Sequence, residues 1–76
     1  MPFPDNLRRL RRERFLTQME LAEKAGIRQT SLSRLERGAH PPSMRTLRKL
    51  ATALGVEPRE LADPSEVSER LVRLAA

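Results

Sequence analysis

Between residues 29 and 37, Gln29, Thr30, Ser33, Arg34 and Arg37 recur at intervals of three and four, the spacing that lines one face of a helix. These side chains donate and accept hydrogen bonds but offer little acid–base or nucleophilic power. Such a set suits recognition: glutamine pairs bidentately with adenine, arginine with guanine, and a threonine methyl can touch thymine. The plain alternative is a solvated helix face. Catalysis is excluded by inventory. The chain has no cysteine, so there is neither a disulfide nor a thiolate to bind metal or attack substrate. His40 is the only histidine and lies beside Pro41 and Pro42, which marks a loop. No Ser/His/Asp set, metal-ligand cluster or phosphate-binding glycine loop occurs, so no enzyme, metal or cofactor is expected.

A face of this kind needs a helix held rigidly beneath it. Thr17 with Glu20 three residues later reads as a capping box opening a helix that carries Leu21, Ala22 and Ala25 inward. Gly26 ends that helix where a left-handed cap is needed, and Ile27 packs at the turn. Leu32 and Leu35 give the next helix its buried stripe, and Gly38 stops it. Ala22 is small where the two helices cross closely. Two short helices joined through a glycine turn are a helix-turn-helix, whose second helix presents its N-terminal residues to base edges.

The remaining elements complete a core. A first helix runs from about Asp5 to Arg14, with Leu7, Leu10 and then Phe15 or Leu16 facing inward. Ser43 caps a fourth helix bearing Met44, Leu47, Leu50, Ala51 and Leu54, closed by Gly55. Pro58 opens a short fifth helix through Leu61 and Ala62. Asp63-Pro64-Ser65-Glu66 reads as another capping box, opening a sixth helix to about Leu74. No stretch alternates as a strand would. The expected fold is all-α: a compact five-helix, repressor-like bundle over residues 1–62, with a short C-terminal helix over 63–76 for packing or dimerisation.

Seventy-six residues make one domain, with 15 basic and 10 acidic side chains and a formal charge of +5. Residues 1–14 are net +3, 15–55 net +4 and 56–76 net −2. A polyanion would therefore meet the first two-thirds of the chain. A surface whose 13 arginines against 2 lysines follow genome base composition is the bland reading. No apolar run approaches the ~20 residues of a membrane span. The first residues lack a signal-peptide pattern, so a cytoplasmic, nucleoid-associated location is expected.

Thr17-Gln18-Met19-Glu20-Leu21-Ala22-Glu23-Lys24-Ala25-Gly26-Ile27, then Leu32-Ser33-Arg34-Leu35-Glu36-Arg37-Gly38, resembles the Cro/repressor-type helix-turn-helix, or XRE, family. The likeness continues through Pro42 to Ala51 and Ala53 to Val56, and covers about residues 6 to 62. It implies roles position by position. Gln29, Thr30, Ser33 and Arg34 would face base edges. Gln18 would bind a phosphate and brace Gln29, while Arg28, Arg37 and the Gly38 amide would lie near phosphate. Arg45 would reach the minor groove or a phosphate; it stands in a first helical turn, where the macrodipole disfavours a cation. Arg11 would pair with Glu36, a structural role preferred to DNA contact. Arg8, Arg12 and Arg14 are read as surface charge, with one of them near phosphate as the alternative.

Two positions depart from the family pattern. Phe15 stands where relatives usually have glycine, and Arg28 where they often have a hydroxyl cap. The tail stripe of Val67, Leu71, Leu74 and Ala75 must bury itself on its own domain or on a second copy. The implied function is a sequence-specific DNA-binding transcriptional regulator, reading double-stranded operator DNA as a homodimer. The alternative is an antitoxin-like module whose DNA binding is coupled to a protein partner.

Overall fold

The computed structural model describes residues 1–68, which form α1 (Phe3–Glu13), α2 (Gln18–Ala25), α3 (Gln29–Glu36), α4 (Met44–Leu54) and α5 (Pro58–Leu61). A single 3-10 turn, Pro64–Glu66, follows. No strand occurs among the described residues.

Local chemistry sets most of the boundaries. Thr17 Oγ1 accepts from the Glu20 N–H at 3.1 Å while the Glu20 carboxylate accepts from the Thr17 N–H at 2.9 Å, so α2 opens on a reciprocal cap. Those bonds favour the charged carboxylate and hold Glu20 below its ordinary pKa. Gly26 closes α2 at φ +72°, a left-handed conformation open to glycine without steric cost. Ser43 Oγ accepts from the Thr46 N–H at 3.1 Å and opens α4.

Helix α1 begins earlier than the predicted Asp5. Pro2 and Pro4 look like irregular chain, yet a proline in the first turn gives up no intrahelical hydrogen bond. Phe3 is thereby carried into the core at 2% exposure, beside Leu7 and Leu10. The cap comes from the far end of the described chain: Glu66 Oε2 accepts from the Phe3 N–H at 2.6 Å. Phe15 is no core residue. It is 93% exposed, at φ +55°, in the turn between α1 and α2, where Leu16 takes the inward place.

The predicted sixth helix is corrected at its start. Asp63 and Glu66 do form a capping box, but only the 3-10 turn follows, and Val67 is extended at φ −92°, ψ 147°. Glu66 is shared with α1, Val67 packs on the core, and the Ser68 N–H donates to the Pro42 carbonyl at 2.9 Å. These ties draw the chain onto the domain instead of onward along a helix axis. The rest of that helix, with Leu71, Leu74 and Ala75, lies outside the described residues.

The core is aliphatic apart from Phe3. Leu7, Leu21, Leu32, Leu35, Leu47, Leu50 and Leu61 are all within 2% of complete burial. Helix α2 lies between α3 and α4, while α1 packs on α3 and α5.

Candidate nucleic-acid interface

Helix α3 has two unlike faces. Leu32, Leu35 and Glu36 are buried, whereas Gln29, Thr30 and Arg34 are exposed and Ser33 is half-buried. Arg37 and Gly38, just past the helix, are exposed as well. The residues expected to read bases are therefore brought together on one outward face.

Glu36 explains how that face is held. It is the one charged side chain in the core among the described residues, at 2% exposure. Its Oε2 accepts from Arg11 Nε at 2.7 Å and its Oε1 from Arg11 Nη2 at 3.0 Å, a two-pronged fork from α1. Gln18 Nε2, from the start of α2, donates to the same Oε1 at 3.0 Å. Arg11 Nη1 also donates to the Leu16 carbonyl at 2.9 Å. One carboxylate thus ties α1, α2 and α3 together. The bonds to Glu36 raise the Arg11 pKa above its ordinary value, and burial opposes this only in part.

Several expectations are revised by this network. The Gln18 amide also has a role that the family likeness left out, donating from Nε2 to the Glu36 carboxylate, a stronger acceptor than a neutral amide. Arg8 is no mere surface charge: its guanidinium donates to the Glu36 backbone carbonyl, closing the end of α3, and to the Asp5 carboxylate. Arg14 donates from Nε to the Leu54 carbonyl at 2.6 Å and from Nη1 to the Leu10 carbonyl at 3.3 Å, linking the ends of α1 and α4. The sequence carries no local signal for Arg8 or Arg14, since their acceptors are backbone carbonyls distant in the chain. Arg12 is exposed.

Arg28 precedes α3 in extended conformation and supplies no side-chain cap. Beyond α3, the Gly38 N–H donates to the Leu35 carbonyl at 3.1 Å and the Ala39 N–H to the Arg34 carbonyl at 3.0 Å, with Gly38 at φ +73°. The Gly38 amide is thus already engaged within the turn. Arg45 lies exposed in the first turn of α4. His40 is exposed in its loop, Nδ1 3.2 Å from the Pro41 carbonyl. No cluster of three potential metal ligands and no helix long and apolar enough to cross a membrane occurs among the described residues.

Residues 7–61 match the Helix-turn-helix family. The chain is 49% identical over 61 residues to the helix-turn-helix-type transcriptional regulator y4dJ of Sinorhizobium fredii, covering 80% of this chain and 79% of that protein. It is also similar to the immunity repressor protein of Bacillus phage phi105, 40% identical over 57 residues, which span 75% of this chain but 40% of the repressor. Among solved structures, the restriction-modification controller protein C.AhdI of Aeromonas hydrophila superposes with TM-score 0.75 at 42% identity, covering 78% of this chain and 89% of that one. The biofilm regulator SinR, solved in complex with DNA, superposes with TM-score 0.77 at 34% identity, covering 80% and 98%. With a recognition-type helix clamped by a buried carboxylate and a match over 7–61, the chain belongs to the Cro/repressor-type helix-turn-helix family of DNA-binding transcriptional regulators.

Proposed function

We propose that this regulator binds DNA sequence-specifically, laying α3 in the major groove, and acts as a homodimer on inverted repeats. The observation that carries the reading is the division of α3: its outer face exposes Gln29, Thr30 and Arg34 while its inner face is fixed by Leu32, Leu35 and the Glu36 fork. Preorganisation of this kind lowers the ordering cost of binding. In this reading Gln29, Thr30, Ser33 and Arg34 contact base edges. Gln18, Arg28, Arg37 and, through a shared amide, Gly38 contact phosphate, and Arg45 lies at the minor groove. Gln18 reaches a phosphate while keeping Glu36, since its amide carries two donor hydrogens.

The solved SinR–DNA complex supports the placement by analogy. Two-fold operators, with half-sites about 34–36 Å apart, suit a dimer of such domains. Selection from a random duplex library with the purified full chain tests the proposal. The expected result is a two-fold symmetric motif; recovery of no enriched sequence refutes specific readout, and an enriched single half-site refutes the dimer.

A further inference from the structure

Helix α4 carries a second basic face that the reading above leaves unused beyond Arg45. Its buried side is formed by Leu47, Leu50, Ala51, Ala53 and Leu54. Arg45, Arg48 and Lys49 are exposed on the other side, at the i, i+3 and i+4 spacing that makes them neighbours. Like charges so placed repel, and none of the three meets a carboxylate among the described residues; every ion pair there belongs to an arginine of α1 or the turn after it. The helix dipole adds to the disfavour. The effect acts within the terminal turns, so it falls on Arg45 alone, in a first turn that holds no acid.

Three neighbouring cations on α4 are therefore left without a carboxylate among the described residues and open to an external anion. From Arg28 to Val56 there are six basic residues, and the one acid in that stretch, Glu36, is buried and bound to Arg11. The exposed charged side chains of this stretch are thus all positive, while Glu66 lies against the loop from another part of the chain. We infer that Arg48 and Lys49, one turn beyond Arg45, bind phosphates of the same duplex that α3 reads, extending the footprint past the major-groove contact. The inference rests on the proposed DNA reading. Guanidinium and ammonium groups are both suited to phosphate, and neither would read sequence from the backbone.

The test compares the full-length wild type with Arg48→Ala/Lys49→Ala, on a random-sequence duplex and on duplexes selected from a library. Each lost phosphate contact flattens the log K against log salt plot by about 0.9, so the double variant should lose about 1.8 of slope for each protomer bound, about 3.6 for a dimer. Over the decade between 1 M and 0.1 M salt that amounts to about 60-fold in affinity per protomer. The loss should be equal on both duplexes, leaving the specificity ratio intact, and the charge-preserving Arg48→Lys/Lys49→Arg variant should keep the wild-type slope. Thermal unfolding should show the alanine variant at least as stable as wild type, because repulsion is removed. An unchanged slope and affinity in the alanine variant overturns the inference. If Arg37→Ala still flattens the slope in that case, the α3 reading stands and only the α4 contact falls. A wild type that binds neither duplex at low salt removes both.

Discussion

Replacing Arg11 by methionine would strand a carboxylate inside the protein. The Glu36 side chain is 3% exposed and that of Arg11 12%, so the fork is shielded from water at the acid and reached by it only at the rim of the base. Breaking a buried pair by removing one partner costs about 3–5 kcal/mol. Gln18 still donates one hydrogen bond to the orphaned carboxylate, which argues for the lower end, about 3 kcal/mol. A domain of this length has about 4–11 kcal/mol in all, at roughly 0.05–0.15 per residue. The melting temperature should therefore fall by about 12–24 °C. Glu36→Leu should cost less, about 2 kcal/mol, because the arginine can turn toward solvent. The double variant, with nothing charged left in the core, should lose about 2–3 kcal/mol instead of the sum, a coupling of about 2–3. Urea unfolding of all four proteins measures this cycle. Losses that add within about 0.5 kcal/mol would refute the view of Glu36 as a shared anchor.

Arg34→Ala should relax preference at one base pair, costing about 1–3 kcal/mol on the best site, whereas Arg37→Ala should weaken all sequences alike and flatten the salt slope by about 1; titration of matched and mismatched duplexes separates them, and identical behaviour would overturn the assignment. Phe15→Gly should stabilise the domain by about 0.5–1 kcal/mol, since relief of about 1–2 kcal/mol of left-handed strain exceeds the added freedom of the unfolded glycine; a lower melting temperature would mean that the ring has a packing role. Ending the chain after Ala62 should destabilise it by about 1–2 kcal/mol through loss of the Glu66 cap on Phe3. Ending it after Ser68 should leave the monomer's stability intact and weaken only dimers on paired half-sites, as read by calorimetry and light scattering; equal stability of the two truncations would show that Glu66 does not cap α1.

The helix-turn-helix was legible because its signals are local. The Thr17–Glu20 cap, the Gly26 turn and the Ser43 cap each involve residues within a turn of one another, so spacing alone specifies them. What sequence could not supply was long-range partnering. Helix α1 starts at Phe3 because Glu66, 63 positions away, completes its first turn. Glu66 in turn closes a single 3-10 turn before Val67 is extended, and its carboxylate is shared with α1. Arg14 reads as a surface charge until the Leu54 carbonyl is seen to accept from it. Pairing of Arg11 with Glu36 was reachable only through family likeness, as nothing in 25 positions of separation marks it. For the outer face of α3, periodicity gives the side and residue type gives the hydrogen-bonding chemistry on offer there.

The eight residues of α3 bear on how such regulators diversify. Leu32, Leu35 and Glu36 answer to the protein's interior, while Gln29, Thr30 and Arg34 answer to whatever lies outside. Because the two sets share no position, substitutions at the outer three leave the anchoring contacts untouched. Under the proposed reading of α3, a lineage can therefore explore new binding sites by single steps without passing through unfolded ancestors, with the buried Glu36 holding the helix in place through each of them.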